Sequence, residues 1–414
     1  MKKVVLAFSG GLDTSYCAIY LAKNLGYEVH SVAVNAGGFD AEEVDDLAAK
    51  AVELGIKHHL CLNIEQKFYN HGIRYLLFGN VLKNQTYPLS VSAERVFQAI
   101  AIAEYAKNIG ADAIAHGSTG AGNDQVRFDL VFQIMAPEIE IITPIRDQRL
   151  SREEEVDFLK EHGIEKSWEH AKYSINKGLW GTSIGGAETL TSHLSLPEFA
   201  WPSPITKTET NRIEIEFEQG EPVRLNGECM DPIDLIKELD TIASSYGIGR
   251  NHHVGDTIIG IKGRVGFEAA APMVLIESHR TLEKHCLSKW QLYWKDQMGE
   301  WYGMMMHEGQ YLDPVMRDIE QFLSSTQKRV SGKVFVRLHP GYFDVQGIES
   351  PFDLLQSEAG QYGEMNQRWT AEEVKGFTKI LSNSTHTYDS MEKVNKTAQK
   401  SDNNLSDAND EGRA

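Results

Sequence analysis

A run of small, hydroxylated and acidic residues near the start of the chain could bind phosphate. Residues 4–8 are apolar, and residues 9–15 contain Gly10 and Gly11 side by side, together with three hydroxyl side chains and Asp13. Adjacent glycines let a backbone approach an anion without hindrance from a Cβ atom, and the first amides of a following helix attract negative charge. The pattern therefore predicts a strand, a phosphate-binding loop and a helix, in that order.

The spacing within this loop indicates which phosphate chemistry it could support. It contains neither the G-x-x-x-x-G-K-[ST] pattern of a Walker A loop nor the G-x-G-x-x-G pattern of a dinucleotide site. No lysine is placed to reach a γ-phosphate, so the loop is better suited to hold a pyrophosphate leaving group while the α-phosphorus reacts. Residues 9–15 resemble the SGG-x-D-[ST]-S loop of the N-type ATP pyrophosphatases. An ordinary glycine-rich turn is the alternative.

A second loop, at residues 116–128, combines three glycines with polar side chains of both charges. Asp124 could bind an ammonium group, while Thr119 and Arg127 could bind carboxylates, so the set suits an amino acid zwitterion. Asn123 and Asp124 are also favoured residues at the start of a helix. Taken alone, this loop is equally consistent with a solvated helix cap.

The elements that must position these loops alternate between strand and helix. The predicted strands are residues 4–8, 28–35, 57–62, 113–117 and 139–142, and the predicted helices are residues 15–25, 40–54, 65–78, 92–108, 125–135 and 151–162. Such alternation implies a doubly wound parallel sheet, which binds ligands at the carboxyl ends of its strands. Residues 35–38 would then lie beside the adenosine half of a nucleotide, although a plain turn fits them equally well.

In the second half of the chain, strands outnumber helices. The predicted strands include residues 214–218, 223–225, 257–261 and 333–338, and the predicted helices are residues 231–246 and 312–324. We therefore predict an α/β fold with a doubly wound nucleotide-binding domain at residues 1–166 and an α+β domain at residues 167–360. A C-terminal helix at residues 361–382 and a disordered polar tail at residues 383–414 complete the prediction.

Composition argues against several classes of partner. The 414 residues carry a formal net charge of −18, so we expect no nucleic-acid partner, which would need a concentrated basic face. No apolar run approaches the ~20 residues of a membrane span and no signal peptide precedes the first strand, so we expect no membrane partner and a cytoplasmic location. The adjacent pairs His58-His59 and His252-His253 would each point to opposite faces of a strand, and we predict no metal site.

Together the two loops resemble those of the argininosuccinate synthase family, whose patterns are A-[FY]-SGGLDTS and HG-x-TG-x-GNDQVRF. The resemblance extends through Tyr87, Ser92, Arg95 and residues 173–183, and it covers roughly residues 3–350. It implies ligation of citrulline with aspartate in arginine biosynthesis, in which ATP is cleaved to AMP and pyrophosphate through a citrullyl-adenylate. It also implies Mg²⁺ on the triphosphate and a homotetramer.

Positions that match the family's motifs carry its residue roles. The implied ATP contacts are Ala7, Phe8, Ser9, Gly10, Gly11, Leu12, Asp13, Thr14, Ser15, Val34 and Gly117. The implied aspartate contacts are Thr119, Asn123 and Asp124, and the implied citrulline contacts are Tyr87, Ser92, Asn123, Arg127, Ser174 and Ser183. We expect Asp13, Asp124 and Arg127 to take part in catalysis, which requires positioning and charge stabilisation more than a strong base.

The sequence departs from the family pattern at the citrulline end. Gly255 and Phe267 replace a usual glutamate and tyrosine there, and elsewhere Ala121 replaces a usual lysine. One interpretation is neutral drift, with Asp256 taking over the role of the missing carboxylate. A second is that the substrate is an N-acylated citrulline, acetyl or succinyl, and that Gly255 makes room for the acyl group. A more remote alternative is a non-catalytic nucleotide-binding protein with the same fold.

Overall fold

The computed structural model describes residues 1–120, 122–164, 172–358, 363 and 368–410, with side chains described up to residue 397. Residues Met1–Asp353 form one compact unit, and residues Leu354–Ala414 form a second. The predicted boundaries near residues 166 and 360, and the substituted Ala121, lie outside the described residues.

A five-stranded parallel sheet forms the first part of the larger unit, which confirms the predicted fold class. Its strands are β1 (Lys3–Ala7), β2 (Glu28–Asn35), β3 (His58–Asn63), β4 (Ala113–Ala115) and β5 (Glu140–Ile142). The accompanying helices are α1 (Leu12–Lys23), α2 (Ala41–Glu53), α3 (Glu65–Phe68), α4 (Arg74–Phe78), α5 (Ser92–Asn108), α6 (Asp124–Met135), α7 (Pro144–Gln148) and α8 (Arg152–Glu161). The strand order β3-β2-β1-β4-β5 reverses between β1 and β4, where a doubly wound sheet opens a ligand crevice.

Local sequence signals explain most of these boundaries. Helix α2 begins with a capping box between Asp40 and Glu43, and α8 begins with one between Ser151 and Glu154, as predicted. The single helix predicted for residues 65–78 is instead interrupted by a π-helical turn at Tyr69–Ile73. Gly72 lies in that turn, and a Cβ atom there would be 2.8 Å from the Phe97 ring, so the turn brings the backbone close to α5.

The second part of the larger unit is built on two antiparallel sheets. Its strands are β6 (Ser174–Asn176), β7 (Thr182–Gly185), β8 (Asn211–Glu218), β9 (Glu221–Leu225), β10 (Glu228–Cys229), β11 (Arg250–Asp256), β12 (Lys262–Glu268), β13 (Gly332–His339) and β14 (Tyr342–Glu349). Its helices are α9 (Pro232–Ser244), α10 (Ala270–Cys286), α11 (Lys289–His307) and α12 (Val315–Thr326). The sheet orders are β10-β9-β8-β13-β14 and β11-β12-β7-β6.

The prediction of a strand at residues 257–261 is wrong. These residues form the turn between β11 and β12, closed by a hydrogen bond from Thr257 N–H to Ile261 O at 2.8 Å. Gly260 adopts a φ of +81°, which an extended strand does not tolerate. Ile259 and Ile261 are largely exposed, so this apolar run is the tip of a hairpin.

A continuous apolar core joins the two parts of the larger unit. Along β1 the side chains alternate, so that Val4 and Leu6 pack in one cluster beneath the sheet while Val5 packs in another. The cluster that contains Val5 also contains Phe217 of β8 and Val334 of β13. The phosphate loop at the end of β1 is therefore anchored to both parts.

The smaller unit contains the helices α13 (Ala371–Leu381) and α14 (Asn383–Asp410). Helix α13 occupies the position of the predicted C-terminal helix, but α14 replaces the disorder predicted for the polar tail. Residues 383–410 contain no glycine or proline, and Glu392 pairs with Lys396 at 2.6 Å one turn apart, which supports a helix of low apolar content. Among the described helices of both units, none combines the length and apolar character that a membrane span requires.

Candidate active site

The loop between β1 and α1 has the geometry of an anion-binding site. Gly10 has a φ of +68°, and a Cβ atom there would lie 2.9 Å from Leu47 Cδ2, so this position requires glycine. Gly11 precedes the helix without a side-chain cap, and the first ladder bond runs from Ser15 N–H to Gly11 O at 3.0 Å. The amides before Ser15 have no place in the helical ladder and lie at the positive end of the helix dipole, where a phosphate binds.

The three hydroxyl groups of this loop have different surroundings. Ser15 is buried, and its Oγ donates to Gly11 O at 2.8 Å. Ser9 is exposed, and its Oγ lies 3.3 Å from Thr14 Oγ1. Ser9 and Thr14 therefore line the cleft beside the loop, whereas Ser15 stabilises the first turn of α1.

Gly117 allows the second loop to contact the first. A Cβ atom at Gly117 would lie 3.1 Å from Asp13 Cβ. The preceding residue, His116, is buried, and its Nδ1 accepts from Ser118 N–H at 3.2 Å, which leaves Nε2–H to donate to Asp129 at 2.9 Å. These bonds hold the second loop at the carboxyl end of β4, beside the phosphate loop.

Both loops open into one cleft of about 1050 Å³ at the carboxyl ends of the parallel strands. The predicted ATP contacts that line it are Ala7, Phe8, Ser9, Gly11, Leu12, Asp13, Thr14, Val34 and Gly117. The predicted aspartate contacts Thr119, Asn123 and Asp124 line it as well, whereas Gly10 and Ser15 are not among the lining residues. The cleft is of the size expected for a nucleotide-sized ligand with a smaller molecule beside it.

Asp124 lies between two guanidinium groups at one end of this cleft. Its Oδ2 accepts from Arg95 Nε at 3.2 Å, and its Oδ1 accepts from Arg127 Nη1 at 2.9 Å. Burial would raise the pKa of Asp124, but the two cations outweigh it and hold the pKa below its usual value. The side chain is still 42% exposed, so a ligand can reach a carboxylate whose orientation is already fixed.

Arg95 is itself held by two further residues. It donates to Glu94 Oε1 at 2.8 Å and to Asn176 Oδ1 at 2.9 Å. Glu94 is buried, and burial raises its pKa to about 8, so it is mostly protonated at neutral pH. Its Oε2 has no hydrogen-bond partner in the described part of the chain. Arg95 is thus oriented from both parts of the larger unit.

Arg127 is oriented by His307, the last residue of α11. Its Nε donates to the His307 carbonyl oxygen at 2.9 Å, and its Nη2 lies 3.0 Å from His307 Nδ1. Burial and then the charge of Arg127 lower the pKa of His307 to about 2. The imidazole is therefore neutral, and its Nδ1 accepts from the guanidinium.

A smaller pocket of about 220 Å³ shares a wall with the cleft. The residues common to both cavities are Arg95, Asn123, Asp124, Arg127 and Asn176. The predicted citrulline contacts that line the smaller pocket are Tyr87, Ser92, Asn123, Arg127 and Ser183. Ser174 lines the larger cleft instead. The predicted aspartate and citrulline sites therefore meet at Asp124 and its two arginines.

Ser92 offers a hydroxyl group to this smaller pocket. It is buried, and its Oγ has no hydrogen-bond partner among the described residues. Buried polar groups are nearly always satisfied, so an unpartnered hydroxyl that lines a cavity indicates a ligand contact. By contrast, the buried Tyr87 hydroxyl already accepts from Ser90 Oγ at 3.2 Å.

The altered positions at the citrulline end have different surroundings. A Cβ atom at Gly255 would lie 2.6 Å from His253 Nε2, and the His253 ring stacks on Tyr87 with centroids 5.1 Å apart. The space that a side chain at residue 255 would need is therefore occupied by His253, while Gly255 itself lines the smaller pocket. Asp256, the carboxylate that could take over the missing role, lines the smaller pocket, and its exposed side chain pairs with Lys262 at 2.7 Å.

Phe267 has become part of the core. Its ring is fully buried and packs on Tyr87 with centroids 5.3 Å apart, and it is not among the lining residues of the smaller pocket. Apolar packing behind the pocket wall thus replaces the tyrosine hydroxyl that the family resemblance implies at this position.

The hairpin tip between β11 and β12 contacts the second loop directly. Ile258 N–H donates to Asn123 Oδ1 at 2.9 Å. Thr119, on the same loop, is exposed at the rim of the larger cleft. Asn123 therefore connects the aspartate end of the site to the antiparallel sheet of the second part.

Asp13 lies beside a second carboxyl group, that of Glu155 on α8. Burial raises the pKa of Asp13, and burial together with the charge of Asp13 raises the pKa of Glu155 to about 8. Near neutral pH the two groups therefore share one proton at the floor of the phosphate loop.

The site contains residues that sequence reasoning did not assign. Asn176 falls within a segment that matches the family pattern, and Arg95 matches as well, so both could have been found. Glu155 and His307 carry no sequence signal, because each acts through a partner on another element. Glu94 is adjacent to Arg95, but it falls in none of the patterns that the sequence prediction used.

The chain was compared with known proteins. Two family models match it, described as the arginosuccinate synthase N-terminal HUP domain at residues 3–165 and the C-terminal domain at residues 173–388. The chain is 39% identical over 363 residues to the argininosuccinate synthase of Methanocaldococcus jannaschii, covering 87% of this chain and 91% of that protein. It is 35% identical over 390 residues to that of Dictyoglomus thermophilum (94% and 97% covered) and 35% identical over 399 residues to that of Xanthomonas campestris (94% and 98% covered). With the phosphate loop and the shared wall at Asp124, these similarities show that the chain belongs to the argininosuccinate synthase family.

Proposed function

We propose that this protein condenses citrulline with L-aspartate to form argininosuccinate, with cleavage of ATP to AMP and pyrophosphate. The observation that carries the proposal is the junction of two cavities at Asp124, Arg95 and Arg127. One cavity begins at a phosphate loop, and the other is lined by polar groups suited to a ureido acid. Three polar substrates can therefore meet where charge develops, which is what an adenylating ligase needs.

The nucleotide occupies the larger cleft in this proposal. The pyrophosphate end lies against the amides after Gly11 and the hydroxyls of Ser9 and Thr14. The adenosine end lies near Val34, whose carbonyl oxygen accepts from Gln98 at 3.4 Å. The α-phosphorus then faces the wall shared with the smaller pocket, and no lysine is required at the γ-phosphate.

The other two substrates bind on opposite sides of Asp124. The substrate aspartate contacts Thr119, Asn123 and Asp124, and its ammonium group pairs with the Asp124 carboxylate. Citrulline contacts Tyr87, Ser92, Asn123, Arg127, Ser174 and Ser183. The ureido oxygen attacks the α-phosphorus as pyrophosphate leaves, and the aspartate amine then displaces AMP from the adenylate. Arg95 and Arg127 stabilise the negative charge that passes between these groups.

Mg²⁺ fits the donor groups near the phosphate loop. Asp13 supplies a carboxylate that lines the cleft, and hard divalent cations prefer such oxygen ligands together with phosphate oxygens. The ion would neutralise phosphate charge during the attack. The proton shared by Asp13 and Glu155 would leave when the ion binds, because the two compete for the same carboxylate.

The exposed apolar face of α13 supports a homotetramer. Its Val374, Phe377 and Ile380 are 41%, 62% and 70% exposed, and they recur at the spacing of one helical face. Contiguous exposed apolar side chains of this kind mark a surface that a partner covers. We propose that other copies of this chain cover it, and that the enzyme acts in the cytoplasm, where ATP is available.

The test is to measure pyrophosphate and AMP release from ATP with aspartate and citrulline, each omitted in turn, and to identify the product by mass spectrometry. We expect release that depends on both amino acids and a product with the mass of argininosuccinate. A parallel reaction with N-acetylcitrulline or N-succinylcitrulline tests the alternative substrate and should be much slower. ATP cleavage that ignores aspartate would refute the proposal.

A further inference from the structure

Three side chains with metal-binding atoms lie together on the parallel sheet, at the end opposite the active site. Glu28 and His30 are two residues apart on β2 and so share one face, and His58 on β3 is the register partner of His30. Glu28 begins β2, whereas Val34 at the cleft lies six residues later, a rise of about 20 Å. Its neighbour in sequence, His59, points to the other face of β3, so the partners of His58 come from the adjacent strand.

The separations of these atoms suit a small divalent ion. His58 Nε2 lies 3.1 Å and His30 Nε2 lies 3.7 Å from Glu28 Oε1, and all three groups have ligand atoms within 4.8 Å of one another. Zinc binds imidazole nitrogen and carboxylate oxygen at about 2.0–2.2 Å, which places tetrahedral ligand atoms about 3.4 Å apart. The two measured nitrogen–oxygen distances lie on either side of that value.

His30 is oriented towards this point by its surroundings. Its Nδ1 lies 3.1 Å from the Tyr105 hydroxyl, so its Nε2 is left facing Glu28. That Nε2 is buried without a hydrogen-bond partner in the described chain, and the residue is only 8% exposed. The His30 and His58 rings stack with centroids 4.4 Å apart and planes inclined by 10°. A second group that orients a ligand imidazole is typical of metal sites.

The ammonium group of the nearby Lys3 does not occupy the site. Lys3 on β1 is the register partner of Glu28, but its ammonium donates to the carbonyl oxygen of Ile109 at 3.2 Å. His58 is the exposed member of the set and gives an ion access from solvent.

We propose that Glu28, His30 and His58 form a binding site for Zn²⁺ or a similar divalent transition metal. Two histidines and one glutamate leave the fourth tetrahedral position to water, a ligand set that zinc accepts. The bound ion joins the edge strand β3 to β2. Because it lies away from the cleft, its role is structural, and the condensation reaction does not use it.

The test uses the full-length protein without a histidine tag, stripped with EDTA and titrated with Zn²⁺ against a chromophoric chelator. We expect one equivalent of Zn²⁺ per chain, and at least a tenfold loss of affinity in His58→Ala. His59→Ala is the matched control, because His59 is the adjacent histidine and its Nδ1 lies 2.8 Å from Ser31 Oγ. It should bind Zn²⁺ as the wild type does.

A second variant separates the site from general surface binding. Glu28→Gln keeps the shape of the side chain, removes its charge, and should also lose at least tenfold in affinity. Zn²⁺ should raise the melting temperature of the wild type and of His59→Ala but not of the other two variants. Equal affinity in all four proteins, or less than half an equivalent bound by the wild type, would overturn the proposal. Neither result bears on the ligase activity.

Discussion

Replacing Asp124 by asparagine should weaken aspartate binding selectively. The substitution keeps the shape of the side chain and removes the charge that would face the substrate ammonium group. At about 4 Å and an effective dielectric constant of about 20, that pair would gain about 4 kcal/mol. Because the Asp124 side chain is 42% exposed, solvent screens much of this, and we expect a loss of about 1.4–2.8 kcal/mol. The KM for aspartate should therefore rise by about tenfold to hundredfold.

The assay is pyrophosphate release at saturating ATP and citrulline with aspartate varied, followed by the same assay with ATP varied. The KM for ATP should stay within about twofold of the wild-type value, because the phosphate loop is unchanged. Asp157→Asn provides a control of the same chemistry on the exposed surface of α8, where the carboxylate lies 3.7 Å from Lys160, and should leave both constants unchanged. A correctly folded Asp124→Asn enzyme with wild-type aspartate kinetics would refute the assignment of Asp124.

Single substitutions at Ser92, Glu155 and Phe377 test the smaller pocket, the shared proton and the exposed face of α13. Ser92→Ala removes a hydroxyl that has no hydrogen-bond partner among the described residues, so it should raise the KM for citrulline about three- to tenfold without lowering the melting temperature. A wild-type KM for citrulline would contradict the pocket assignment. The pKa of Glu155 is raised from 4.5 to about 8, so its protonation stabilises the fold fully below about pH 4.5, and this stabilisation is lost as the pH rises through about 8. Glu155→Gln should flatten the fall in melting temperature between about pH 5 and pH 8, and an unchanged slope would show that another group is responsible. Phe377→Asp should reduce the molar mass measured by light scattering, whereas the exposed control Glu372→Gln should not. If Phe377→Asp keeps the wild-type molar mass, the apolar face of α13 is excluded as an interface.

Local patterns were sufficient to predict the parallel sheet and its two loops. The capping boxes at Asp40 and Ser151 fix where helices begin, and the glycine-rich loops follow strands whose carboxyl ends must share one edge. The same reasoning failed at residues 257–261, because a short apolar run does not reveal whether another sheet covers it. Here Gly260 turns the chain and leaves the isoleucines exposed.

The pairs that complete the site could not be predicted, since each joins residues that are distant in sequence. Glu155 lies in the first turn of α8, where its charge alone suits the helix dipole, yet it shares a proton with Asp13. Arg127 was expected to face a substrate, but His307 of α11 fixes its other edge. Periodicity and capping describe single elements, whereas these contacts depend on how elements from both parts of the unit pack together.

The carboxylate of Asp124 belongs to the walls of two cavities at once, and this has a thermodynamic consequence. A molecule that draws the carboxylate towards one cavity lengthens or shortens its bonds to Arg95 and Arg127, and so changes the surface presented to the other. Occupancy of the two cavities is then linked, and the factor by which aspartate alters the affinity for citrulline must equal the factor by which citrulline alters the affinity for aspartate. A single side chain thereby makes the binding of one amino acid sensitive to the presence of the other.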